Sequence, residues 1–246
     1  MLKKRVIISL TFIDGVLFRT KKFNPDYRYT KNFIDMWNCD EIILNDISPT
    51  NKQSKNFLSI VKQFVSQSFV PISAGGGLDN FDKISKLFSL GVDRVILNSA
   101  VHRNYELLKK VADRYGSQSA TVAIDCKKIN DKYVHMLNNS REKNCLSIKE
   151  TCNQIEKFGG GEIFLNNIDL DGGLMGFDLE IIREISDFSS LPLITCGGGG
   201  KWDHFLQVFK STNISGICTQ NIYHFTDNSV EQLKNYLNSN SINIRK

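Results

Sequence analysis

The sequence predicts a (β/α)8 barrel assembled from two similar half-barrels, and three observations carry that prediction. Apolar runs of strand length alternate with amphipathic helical patterns from end to end, as repeated strand–helix units of a parallel sheet require. The 246 residues suit eight such units in one domain spanning 1–246, because α/β barrels of about 250 residues routinely form single domains. Segments of the first half also recur in the second at a nearly fixed distance. Residues 41–48 match 162–169 through a shared Glu-Ile-x-Leu-Asn, Gly75 falls opposite Gly197, and Asn98 falls opposite Gln220. An open doubly wound sheet is the competing architecture, but it does not call for two equivalent halves.

Strands are expected near 5–11, 41–46, 69–74, 93–97, 119–125, 161–166, 191–196 and 215–219, each an apolar run. Helices are expected near 29–38, 53–67, 79–90, 103–115, 148–158, 178–188, 201–210 and 229–238, where apolar residues recur at helical spacing. Two connections are long for a compact domain: 12–28, which carries Arg19, Lys21 and Lys22, and 126–147. Both read as structureless loops, and the first is a candidate substrate lid.

Composition narrows the function. With 41% hydrophobic residues the chain can bury a large core, and its net charge of +5 is mild. Its lysines are scattered and form no basic runs interleaved with aromatics, which favours an anionic small molecule or an acidic protein partner over nucleic acid. Cys39, Cys126, Cys145, Cys152, Cys196 and Cys218 form no C-x-x-C pair and no zinc-type spacing with histidine. They read as reduced thiols of a cytoplasmic protein, with no metal or cofactor called for. The apolar run after Met1-Leu2-Lys3-Lys4-Arg5 is too short for a signal peptide, and no segment reads as membrane-spanning.

Chemistry is expected at the strand C-terminal ends, where barrel enzymes carry their loops. Gly75-Gly76-Gly77 and Gly197-Gly198-Gly199-Gly200 each follow a strand and open a helix. Glycines there let a phosphate approach the backbone N–H groups at a helix N-terminus. Asn98-Ser99 and Gln220-Asn221 follow the neighbouring strands, so the mouth carries two facing anion cradles, suited to a substrate with a phosphate at each end. The fifth strand ends on Asp125, a candidate general acid or base. The duplicate position on the first strand holds Thr11, which hydrogen-bonds but does not shuttle protons near neutral pH. Asp169 and Asp171 follow the sixth strand, where either catalysis or the orientation of a loop would use them.

Taken together, Lys4-Arg5-Val6-Ile7, Ala74-Gly75-Gly76-Gly77, Leu97-Asn98-Ser99-Ala100, Tyr115-Gly116-Ser117-Gln118, Ala123-Ile124-Asp125, Gly161-Glu162-Ile163, Ile168-Asp169-Leu170-Asp171-Gly172 and Cys196-Gly197-Gly198-Gly199-Gly200-Lys201 resemble the cyclase subunit of imidazole glycerol phosphate synthase. The resemblance covers nearly the whole chain. It implies a heterodimer with a glutaminase subunit, whose ammonia crosses the barrel to react with a bisphosphorylated substrate. It implies phosphate contacts at Gly76, Gly77, Asn98, Ser99, Asp171, Gly172, Gly198 and Asn221, and an ammonia entrance at Arg5, Glu41, Arg94 and Glu162. Asp125 matches one of the family's two essential aspartates, and Thr11 stands where the other belongs. That departure is similar to a paralogous branch linked to acetamidino-sugar formation in surface-polysaccharide synthesis, which is the expected function. A histidine-pathway cyclase and a scaffold that only activates a glutaminase are the alternatives.

Overall fold

In the run Arg5–Ile13 every side chain but the last is buried, as happens when one face of a strand meets helices and the other faces a closed interior. A computed structural model describes residues 3–28, 38–50, 52–220 and 229–245. Its strands are β1 (Arg5–Ile13), β2 (Val16–Lys21), β3 (Asn24–Arg28), β4 (Glu41–Asp46), β5 (Ile72–Gly75), β6 (Arg94–Leu97), β7 (Ala120–Ile129), β8 (Lys132–Leu137), β9 (Glu142–Lys143), β10 (Glu162–Asn167), β11 (Leu193–Cys196) and β12 (Gly216–Thr219). Its helices are α1 (Lys55–Gln67), α2 (Phe81–Ser89), α3 (Ser99–Arg103), α4 (Glu106–Tyr115), α5 (Ile148–Lys157), α6 (Leu179–Phe188), α7 (Trp202–Ser211) and α8 (Ser229–Ser239). Strands β1, β4, β5, β6, β7, β10, β11 and β12 run parallel in that order, and β10 pairs with β7 on one side and β11 on the other. With β12 pairing β1, the ring closes as the eight-stranded barrel that the sequence predicts.

Local chemistry fits each helix to its place. Ser54 and Asn80 cap α1 and α2 through backbone N–H groups, and Ser147 with Glu150 forms a full capping box on α5. The helix expected near 103–115 is α4, which begins at Glu106; the short helix α3 precedes it, and the two are separated at Asn104, whose backbone is extended. The helix expected over 29–38 falls on residues 29–37, outside the described set. No helix among the described residues is long and apolar enough to cross a membrane.

The two long connections are corrected by the structure. Residues 12–28 form an antiparallel extension: β1 runs to Ile13, turns at Asp14-Gly15 (φ 49° and 81°) and returns as β2, with β3 added outside it. After Asp125, β7 continues to Ile129, turns at Asn130-Asp131 (φ 47° and 59°) and returns as β8. Two left-handed residues are the two-residue hairpin turn that matches strand twist. Asp-Gly between apolar runs was the available signal.

The duplication is visible in strand register. Ile42 pairs with Ile72 as Ile163 pairs with Leu193, both partners shifted by 121 positions (163 − 42 and 193 − 72). Ser73 pairs with Arg94 as Ile194 pairs with Gly216, so β12 is shifted by 122 (216 − 94); α7 is one residue longer than α2. The glycine loops therefore align one residue later than the sequence match suggests, Gly76 with Gly197. Their φ angles are 97° and 102°. A Cβ at Gly76 would sit 2.1 Å from the Asp46 carbonyl oxygen, and one at Gly197 would sit 2.6 Å from that of Asn167, again 121 positions on.

That contact makes Gly76→Ala costly. Left-handed strain and the Asp46 carbonyl together should remove about 2 kcal/mol or more, lowering the melting temperature by roughly 4–8 °C. An unchanged melting curve would show that the loop relaxes.

Candidate active site

Alternation along the strands sends Arg5, Ile7, Ser9 and Thr11 of β1 toward the barrel axis, and equivalent residues of the other strands join them in layers. The middle layer is apolar: Ile7, Ile43, Ile96, Ala123, Phe164, Ile194, Cys196 and Cys218 form one buried cluster separate from the core beneath the helices. Polar side chains lie on either side of it.

Toward the C-terminal mouth stands Asp125, only 5% exposed. Its Oδ2 accepts a hydrogen bond from Asn98 Nδ2 at 2.7 Å and its Oδ1 accepts one from Asn166 Nδ2 at 2.8 Å. Burial pushes its pKa up to about 6, with Asp171 adding to the rise and the two asparagines and Lys52 opposing it. A carboxyl poised there exchanges protons near neutral pH, as an acid/base catalyst must.

Register equates Thr11 with Asp125. Thr11 pairs with Asn45 and Asp125 with Asn166, and the two asparagines occupy duplicate positions in β4 and β10. The Thr11 hydroxyl donates to the Phe18 carbonyl at 2.5 Å, inside the first hairpin. The two carboxylates after β10 are also engaged. Asp171 accepts the Phe23 N–H at 3.0 Å while its carbonyl accepts the Lys22 N–H at 3.1 Å. Asp169 accepts the Lys128 N–H at 2.8 Å. These two aspartates fasten both hairpins to the loop after β10, and burial raises the pKa of Asp171 despite the Phe23 N–H.

The expected phosphate contacts separate on inspection. Gly76 and Gly77 line the loop after β5, with the stem of Lys52 lying across Gly77. Gly198 lines the loop after β11, where its carbonyl accepts the Gly176 N–H at 2.8 Å. Asn98 holds Asp125, and Ser99 Oγ accepts the Asn138 N–H at 2.9 Å. Gly172 packs beneath the Thr20 carbonyl of the first hairpin. Asn221 lies outside the described residues. Sequence reasoning missed Asn166, although the Asn45/Asn166 repeat was there to signal a paired polar position, and it missed Lys52.

At the opposite mouth the four remaining residues meet. Arg5 bonds Glu41 at 2.9 Å and also Glu162, while Arg94 lies 3.0 Å from Glu41 and 3.7 Å from Glu162. Each acid thus touches both bases in a closed ring, and Ser73 Oγ donates to Glu41 at 2.6 Å. Burial raises the pKa of Glu162, with Arg5 opposing. Arg94 has 29% of its side chain exposed and is the member with most room to move.

A closed parallel barrel with glycine loops and a near-neutral carboxyl at its C-terminal mouth defines a barrel of the kind that places its site there. Residues 8–229 match the family described as histidine biosynthesis protein, and the chain belongs to that family. It is similar to imidazole glycerol phosphate synthase subunit HisF of Natranaerobius thermophilus, 33% identical over 250 residues and all of both chains. The same subunit of a Hydrogenobaculum species is 34% identical over 251 residues, again all of both, and that of a Thermotoga species is 31% identical over 250, all of this chain and 98% of the other.

The raised pKa of Asp125 has a thermodynamic signature. Between the ordinary value of 3.8 and about 6 the native chain binds a proton that the unfolded chain has released. Stability contributed by this group is therefore full below pH 4 and lost as pH rises through 6, by roughly 2–3 kcal/mol. Asp125→Asn abolishes that dependence, so thermal melts should show the variant gaining on the wild type between pH 4 and 7.5. A constant difference would mean that the carboxyl is not raised.

Proposed function

We propose that the chain is the ammonia-using synthase subunit of a glutamine amidotransferase, and that its product is an acetamidino sugar. Ammonia from a glutaminase subunit enters at the ring of Arg5, Glu41, Arg94 and Glu162 and crosses the apolar layer. Neutral ammonia crosses such a layer far more readily than ammonium, whose charge resists desolvation. It then meets a phosphorylated small molecule beside Asp125. The observation that carries the finer reading is Thr11, the register equivalent of Asp125, with its hydroxyl engaged by the Phe18 carbonyl. One carboxyl suffices to take a proton from an attacking nitrogen and return it to a leaving oxygen; closing a ring while splitting a second bond calls on two.

The relatives' name favours a second reading, a histidine-pathway cyclase making imidazole glycerol phosphate and an aminoimidazole ribotide. Complementation separates the two. Expressed with its glutaminase, this chain should fail to rescue a histidine auxotroph lacking the cyclase, and growth would overturn the acetamidino-sugar reading.

Two variants test the path. Asp125→Asn should lower synthase turnover by about 10²-fold or more with either nitrogen source, whereas a mere glutaminase scaffold would lose nothing. Glu41→Ala opens the ring without touching the C-terminal mouth around Asp125, so it should lower glutamine-dependent turnover more than turnover with added ammonia. Equal losses would sink the channel.

A further inference from the structure

Strand β7 outruns its neighbour β6. The shorter strand ends at Leu97, opposite Val122, while β7 continues to Ile129. Carbonyls alternate sides along a strand, and those of Ala120 and Cys126 face β10, so the Ala123 carbonyl faces the other way, past the end of β6. A buried carbonyl left there needs a donor. His102 of α3 supplies it, with Nε2 lying 2.8 Å from the Ala123 oxygen, two residues before Asp125.

The same helix carries Asn98 at its N-cap, where an asparagine side chain ordinarily bonds a backbone N–H of the first turn. Asn98 makes no such bond, because its Nδ2 donates to Asp125 Oδ2. Its Oδ1 is buried with no hydrogen-bond partner among the described residues, so the amide is aimed only by the main chain that bears it. A five-residue helix without a side-chain cap does not hold itself in place. Two of its anchors lead to the outer hairpin: Ser99 Oγ accepts the Asn138 N–H, and Arg103 pairs with Glu142. That ion pair is half-exposed and contributes little. Among the described residues His102 is the one side chain of α3 that hydrogen-bonds β7.

His102 is itself fixed. A carbonyl only accepts, so Nε2 carries the proton and Nδ1 accepts from the Tyr105 hydroxyl at 3.1 Å. The His135 ring of β8 packs edge to face with it, 4.4 Å between centres, and Asn144 Nδ2 donates to His135 Nδ1 at 2.9 Å. Burial lowers the pKa of His102 to about 4 and that of His135 to about 3, so both rings stay neutral near pH 7. We propose that His102 is a positioning residue for Asp125: by tying α3 to β7 at Ala123, it holds the Asn98 amide against the Asp125 carboxyl. His102 touches no reacting atom and acts through Asn98. This rests on the reading of Asp125 as the acid/base group of the mouth, and adds to it the side chain that keeps that group in place.

Carboxyl-carbon NMR titration of the full chain tests this, with the Asp125 signal assigned by its loss in Asp125→Asn. It needs no glutamine, ammonia or sugar, so its outcome is independent of the amidotransferase reading. The other charged groups acting on Asp125, Asp171 and Lys52, are left in place in every variant. Asn98→Ala removes a hydrogen bond that favours the ionised carboxyl and should raise the Asp125 midpoint by about one pH unit. His102→Phe keeps the bulk of the ring but not its donor and should raise the midpoint as far, and the double variant should go no further than either alone. His102→Asn, too short to reach the Ala123 carbonyl, repeats the test if the phenylalanine variant fails to melt cooperatively. His102→Gln, whose amide reaches where Nε2 does, should keep the wild-type midpoint. A midpoint unmoved by Asn98→Ala or by the folded His102 variant, additive shifts in the double variant, or no rescue by His102→Gln would overturn the proposal.

Discussion

Closure of the sheet by β10 against β7 is the constraint on which the rest of the molecule depends. Once Glu162 stands opposite Thr121 and Asn166 opposite Asp125, side chains from strands far apart in sequence are forced into common layers across the axis. Arg5 then meets Glu162, 157 positions away, and Asp125 meets amides from the strands on both sides of it. A slip of one residue in that single register would turn these groups outward and put apolar side chains in their place.

The layers so formed alternate in polarity in a way that stability alone does not explain. A buried ring of two acids and two bases gives back little more than its desolvation costs, and apolar residues of like volume often serve a core as well or better. The same barrel supplies such residues one layer higher, where Ile7, Ile43, Phe164 and Ile194 pack without a polar atom. A charged base, a dry middle and a carboxyl poised near neutrality are the arrangement that the proposed passage of ammonia asks for.

Periodicity made the barrel legible, because strand-length apolar runs and helix-spaced ones leave little choice of architecture. The equivalence of Thr11 and Asp125 was legible too, since strand alternation survives duplication. Less visible were features set by backbone conformation or by tertiary neighbours. The hairpins at 12–28 and 126–147 alternate only weakly, and their exposed β3 and β9 carry polar residues that read as loop. Asn98 follows the strand next to the one that leads into Gly75–Gly77, which suggests phosphate, but β6 lies against β7 and the Asn98 amide turns to Asp125. Lys52 lies in a polar connection whose composition marks no one residue, and only the fold of that connection over Gly77 distinguishes it.

Duplication explains both what the halves share and where they part. Two copies of one half-barrel inherit the same backbone, down to the left-handed glycines at 76 and 197 and the carbonyls facing them. A symmetric mouth, however, treats both ends of a ligand alike and cannot decide which end receives a nucleophile arriving along the axis. The clearest change that breaks the symmetry here is a side chain, Asp125 against Thr11. It lies toward the strand ends, where a new side chain alters the chemistry without disturbing the register that holds the barrel closed.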